Sequence, residues 1–170
     1  VGTVSGTTVS WGSTVALESG STPYDGSFGP EGMVWVGGIG GDTTNRLVCC
    51  YNDQGNDGTA RVMTISGTTP SGGTKSDFSS NRSNAISCVY VGNGQIVVAW
   101  LDVPNNNTLY VMPGTVTGGG TNTIQWGTTS VAFGQCYLPD ASCGTSIVYD
   151  QQNQKILVFY ALNSDKKARW

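Results

Sequence analysis

The chain contains no histidine, and charged side chains make up only 11% of its 170 residues, less than half of the ~25% usual in globular proteins. Without histidine there is no Ser-His-Asp triad, no Cys-His dyad and no His-ligated zinc site. An enzyme would have to run on carboxylates, and glutamate is scarce as well, with Glu18 and Glu31 alone. Four scattered arginines and no S-x-D-x-G-x-x-W box leave out the carboxylate pair and arginine cluster of a sialidase-type glycosidase. Basic residues are few too: 8 Lys and Arg against 11 Asp and Glu give a net charge of −3, with no basic run to neutralise a phosphate backbone. The longest apolar runs, in QIVVAWL and KILVFYAL, do not exceed seven residues, far short of the ~20 that cross a bilayer as a helix. These absences predict a chain without catalysis, cofactor, metal, nucleic-acid partner or membrane insertion.

What the chain has in abundance is glycine, 25 residues, set with Ser, Thr and Asn between short apolar runs. That spacing leaves no room for long helices and predicts an all-β protein. Three segments share one pattern of strand, glycine turn and strand: VGTVSGTTVSWGSTVAL at 1–17, VMTISGTTPSGGT at 62–74, and VMPGTVTGGGTNTIQWGTTSVAF at 111–133. Three others, RLVCCYNDQGNDGTARV, QIVVAWLDVPNNNTLYV and KILVFYALNSDKKARW, each give an apolar run, a polar turn and a new strand entry. MVWVG, ISCVYVG and SIVYD precede them. The expectation is one repeat domain over 1–170 with units near 1–61, 62–110 and 111–170, each a four-stranded antiparallel sheet. In 96–100 and 156–160 the apolar residues are consecutive, so those strands should be covered on both faces. A partial propeller, stacked blades or a three-sheet prism would each achieve that.

The GTVSGTTVSWGS phrase, with its apolar run and GTAR strand entry, resembles the β-propeller-like repeats of large surface and fibre proteins of aquatic microbes and their viruses. The resemblance implies a scaffold and no catalytic residues. The insert SGSTPYDGSFGPEG and the cysteine loop depart from the pattern. Three units are too few for the roughly 4 to 8 blades of a closed propeller, so a longer chain, self-association or a prism would complete the structure. Arg61-Val62 aligns with Arg169-Trp170, and Val62 also with Val1, so the sequence starts and stops at one phase of the repeat. That phase points to strand exchange between copies, and head-to-tail contacts of that kind build filaments.

Five cysteines in a Ser/Thr-rich chain point to an oxidising, extracellular setting, at a cell or virion surface. Cys136 and Cys143 bracket a turn-rich loop, where a disulfide would contribute roughly 2 to 3 kcal/mol. Cys49 and Cys50 are adjacent, so in a strand their side chains point to opposite faces; both read as buried small hydrophobes, or one as a partner for Cys88. Two N-x-S/T sequons start at Asn81 and Asn106, candidates for glycans. The segment NDQGNDG, with Asp53, Gly55, Asp57 and Gly58, looks like the opening of a calcium loop but lacks its third and twelfth ligands, and reads as a turn. Asp102 and Asp150 end apolar runs as Asx turns do. Trp11 and Trp126 recur at one repeat position, the mark of core packing. The functional expectation is a non-enzymatic, self-associating subunit of an extracellular filament; the competing one is a carbohydrate-binding module on exposed aromatics.

Overall fold

The computed structural model describes residues 1–17, 32–37, 39, 43–53, 55, 57–118, 122–128, 130–136, 145–161 and 168–169. Its elements are strands throughout: β1 Gly2–Ser5, β2 Thr8–Trp11, β3 Met33–Val36, β4 Asn45–Asn52, β5 Gly58–Ser66, β6 Thr69–Ser79 and β7 Ser83–Gly92, then β8 Gln95–Asp102, β9 Thr108–Val116, β10 Ile124–Trp126, β11 Val131–Gln135, β12 Ser146–Asp150, β13 Lys155–Ala161 and β14 Ala168–Arg169. The turns follow from their residues. Gly6 and Gly67 both take φ of 59° in the SGTT turns, where a side chain would be strained. Asn93 and Gly94 are both left-handed, the pattern of a two-residue hairpin turn, and join β7 to β8.

The expected three equal four-stranded sheets are not what forms. The described strands make a two-stranded hairpin (β1-β2), a four-stranded sheet (β3-β4-β5-β6), a five-stranded sheet (β7-β8-β9 with β10 and β11 both on β9) and a three-stranded sheet (β12-β13-β14). None closes on itself, and the propeller reading is corrected accordingly. Pro113 is one physical reason for the fifth strand. It has no amide hydrogen to give an outer strand, and the outer edge of β9 divides around it: Gly114–Val116 pair with β10, while Val111, Tyr110 and Thr108 pair with β11.

The sheets pack face to face, and alternation along the central strands sets what each face presents. In β8, Ile96, Val98 and Trp100 join Val48, Cys50, Ala60 and Val62 of the four-stranded sheet in the largest core. The other face of β8, Val97, Ala99 and Leu101, packs on Ile147, Val158 and Tyr160 of the three-stranded sheet. β8 is thus covered on both sides, as its unbroken apolar run predicts. β13 is not, since Phe159 is exposed. On the far side of the four-stranded sheet, Leu17 and Leu47 pack on Cys49, Met63 and Ile65. The order of the stack is therefore the N-terminal segment, the four-stranded sheet, the five-stranded sheet and the three-stranded sheet.

Polar groups clip the first two sheets together. Asn52 at the end of β4 accepts from the Ser83 amide at 2.9 Å and donates its own amide to the Ser83 carbonyl. Phe78 lies 5.1 Å from Trp100 and 5.5 Å from Trp126, and Trp100 stacks on Tyr110 at 5.6 Å, separations at which aromatic pairs attract.

Candidate functional site

The residues singled out for chemistry are engaged in structure. Asp53 accepts from the Asp57 amide at 2.9 Å and pairs with Lys75, so NDQGNDG is a turn braced by an ammonium group. Burial raises the Asp53 pKa, but Lys75 and the amides of Asp57 and Gly55 outweigh it and the net shift is downward. Asp150 accepts from the side chain of Asn153 at 2.6 Å and from the amides of Asn153 and Gln152. Those bonds, led by the Asn153 side chain, lower its pKa and close an Asx turn between β12 and β13. Asp102 accepts from Asn81 at 3.1 Å. Among the described residues no group of three His, Cys, Asp or Glu is placed to hold a metal.

The cysteines require a correction. Among the described residues no disulfide is formed: Cys49, Cys50, Cys88 and Cys136 are buried thiols. Cys143, the expected partner of Cys136, lies outside the described residues. Cys49 and Cys50 face opposite sides of β4, Cys49 toward Leu17 and Cys50 into the core shared with β7. A hydrogen bond with Cys88, then burial, raises the Cys50 thiol well above its usual range. Burial, then Cys88, pushes Cys49 up to about 11. Such thiols are poor nucleophiles.

Both sequon asparagines sit in connections. Asn106 is exposed at the β8–β9 turn, where it and Asn107 take φ of 53° and 56°. Asn81 is exposed between β6 and β7, its amide directed to Asp102. The two tryptophans of one repeat position have different fates. Trp126 packs on Phe78 and donates its indole N–H to the Ser76 carbonyl at 3.3 Å, whereas Trp11 is 80% exposed.

Apart from the β1-β2 hairpin, where Val4, Val9 and Trp11 are exposed, uncovered apolar side chains lie at the two ends of the stack. Met33 and Trp35 are exposed on the outer side of the four-stranded sheet, and Val148 and Phe159 on the outer side of the three-stranded sheet. Val34 and Val36, their neighbours on β3, and Ile147 and Val158 on β12 and β13 turn inward to the two cores. A cleft of about 560 Å³ runs along β13, lined by Asp150, Asn153, Lys155, Ile156, Leu157, Val158 and Tyr160. β14 reaches β13 only at Tyr160 and Ala161, so among the described residues no strand lies on the second edge of 155–159. This site escaped the sequence reading because KILVFYAL reads like QIVVAWL; only the packing distinguishes a covered strand from an open one.

A scan against protein-family models and searches of curated proteins and of solved structures return no match. The resemblance to surface and fibre repeats is therefore corrected as well: what stands is an all-β chain of several separate sheets, with no family shown.

Proposed function

We propose that the chain is a non-catalytic structural protein that associates with copies of itself into an extracellular filament. The observation that carries this reading is the pair of apolar end faces, Met33 and Trp35 at one end of the stack and Val148 and Phe159 at the other. They belong to the same strands whose opposite faces bury in the sheet-to-sheet cores, and paired apolar ends of a stack mark an interaction surface. Because the two ends differ, contact between them is head-to-tail and extends without limit unless it closes into a ring. Glycans at Asn106, in the β8–β9 turn, and at Asn81, between the four- and five-stranded sheets, would project from connections between strands and fit a place at a cell or virion surface. Sedimentation velocity across micromolar concentrations with negative-stain electron microscopy tests the reading: filaments or concentration-dependent oligomers are expected, and a monomer at every concentration would overturn it.

A second reading, carbohydrate binding, draws on the exposed rings of Trp11 and Trp35 and on the polar rim of the β13 cleft at Asp150, Asn153 and Lys155. Its test is quenching or shift of tryptophan emission on titration with oligosaccharides.

A further inference from the structure

We infer that the β1-β2 hairpin of one copy adds to the open edge of β13 in a second copy, with Thr3 opposite Lys155, Gly2 opposite Ile156 and Val1 opposite Leu157. This rests on the self-association proposed above and names its joint.

The hairpin has an internal twin. Gly2 stands opposite Trp11 as Gly114 stands opposite Trp126, and Val4 opposite Val9 as Val116 opposite Ile124. In both, the indole lies over the facing glycine: a Cβ on Gly2 would meet the Trp11 ring at 3.0 Å, and one on Gly114 the Trp126 ring at 2.6 Å. Both close with the same bond, Gly12 N–H to the Val1 carbonyl at 2.9 Å and Gly127 N–H to the Pro113 carbonyl at 2.8 Å. Yet the twin is buried and the hairpin is not: Val116 is 1% exposed and Val4 71%.

The twin shows where such a hairpin belongs. Its inner strand runs along β8, with Thr115 opposite Gln95, Gly114 opposite Ile96 and Pro113 opposite Val97. Val116, Ile124 and Trp126 thereby enter the core between sheets. β13 is the counterpart of β8. Lys155, like Gln95, is the first residue after the hairpin turn, and Val158 and Tyr160 face the preceding sheet as Val98 and Trp100 do. Carrying the twin's register onto β13 gives the pairing above. It uses Lys155 to Leu157 and leaves Tyr160 and Ala161 to β14. Val4, Val9 and Trp11 then fall on the side of β13 that faces the five-stranded sheet, and outer-edge strand addition supplies the backbone bonds.

The hairpin cannot serve its own copy. Gly12 packs against Thr68 at the β5-β6 turn, and Leu17 lies on the outer face of the four-stranded sheet. The five-stranded sheet stands between them and β13. The occupant is a second copy.

The test mixes two single variants of the whole chain, Thr3→Cys and Lys155→Cys, with a short bifunctional thiol-reactive cross-linker. A covalent dimer joining residue 3 of one chain to residue 155 of the other is expected in the mixture, with either variant alone giving no more than the parent protein. In parallel, Trp11→Ala should weaken association about thirtyfold with an unchanged circular dichroism spectrum, and the parent's tryptophan emission should shift to the blue on association. Val9→Asp provides a second surface substitution with the same expected loss. Oligomers that form without the 3-to-155 cross-link, or that survive Trp11→Ala and Val9→Asp, overturn the joint and leave self-association standing. A monomer at every concentration overturns both.

Discussion

Asn52 is the residue whose replacement most directly tests how the first two sheets are held. Its carboxamide is buried and makes both bonds with Ser83, accepting from the amide at 2.9 Å and donating to the carbonyl. Asn52→Ala leaves both backbone groups of a fully buried residue without partners. At about 1 to 3 kcal/mol for each orphaned buried group, the cost is about 2 to 6 kcal/mol. With a urea dependence near the upper end of the usual range for a chain of this length, about 3 kcal/mol per molar, the midpoint should fall by about 0.7 to 2 M, read by far-ultraviolet circular dichroism. Asn52→Asp adds a pH signature. At neutral pH the carboxylate keeps the acceptor but turns an oxygen on the Ser83 carbonyl; protonated, it donates there again. Its folded pKa is therefore raised above the unfolded ~3.9. The stability it contributes is present below that value and lost as pH rises through the folded pKa. The deficit against the parent should shrink on acidification from pH 7 toward pH 4. A midpoint shift for Asn52→Ala below about 0.3 M, or an Asp deficit that does not change with pH, would refute the clip as a stabilising element.

Trp100 is buried with no hydrogen-bond partner for its indole nitrogen among the described residues, so Trp100→Phe should stay within about 1 kcal/mol of the parent while Trp100→Ala loses about 3 to 5 kcal/mol; similar losses for both in urea unfolding would contradict this. The depressed Asp53 pKa stabilises the fold above the unfolded carboxylate range, and that contribution is lost as pH falls through the folded value. Lys75→Met should cost about 0.5 to 1 kcal/mol at pH 7 and flatten the acid limb of the stability profile; an unchanged limb argues against the pair. Cys49, Cys50 and Cys88 should react with an aromatic disulfide reagent at pH 8 only in step with unfolding, since their thiols are buried and Cys49 and Cys50 hold their protons. Fast labelling of any of the three in the absence of urea, located by peptide mapping, would show the core to be open.

The strands and turns were legible because the residues that form them act locally. Gly6 and Gly67 meet a left-handed turn, Asn93 and Gly94 a hairpin, and the alternating faces of β4 send Cys49 and Cys50 apart. The number of strands per sheet was not legible, because it depends on how edges are shared. Pro113 divides the outer edge of β9 between β10 and β11, and β14 takes only two residues of β13. Trp11 and Trp126 show the limit from the other side. Their sequences and their local strand pairs agree, and one is packed while the other is exposed, because burial depends on whether another sheet is there to receive the ring.

The direction of the stack also comes from side-chain size. On β8 the side facing the four-stranded sheet carries Ile96, Val98 and Trp100, and it meets Cys50, Ala60 and Val62. At the next interface Val158 and Tyr160 of β13 meet Val97, Ala99 and Leu101. In each case an aromatic side chain at the same strand position shares its core with small residues of the facing sheet, Cys50 and Ala60 in one and Ala99 in the other. Large beside small favours close packing, and because β8 and β13 both turn their ring toward the preceding sheet, these interfaces have a polarity that a two-fold contact would not reproduce. The outer side of β13 breaks the rule by placing Phe159 where Cys50 and Ala99 stand. The next surface in a stack must therefore yield at that point. The outer side of the four-stranded sheet offers exposed Met33 beside exposed Trp35, and methionine adapts to an irregular neighbour more readily than a branched or aromatic residue. The proposed contact between copies would thus be a variant of the internal interfaces, with the ring and its accommodating surface exchanged between the two sides.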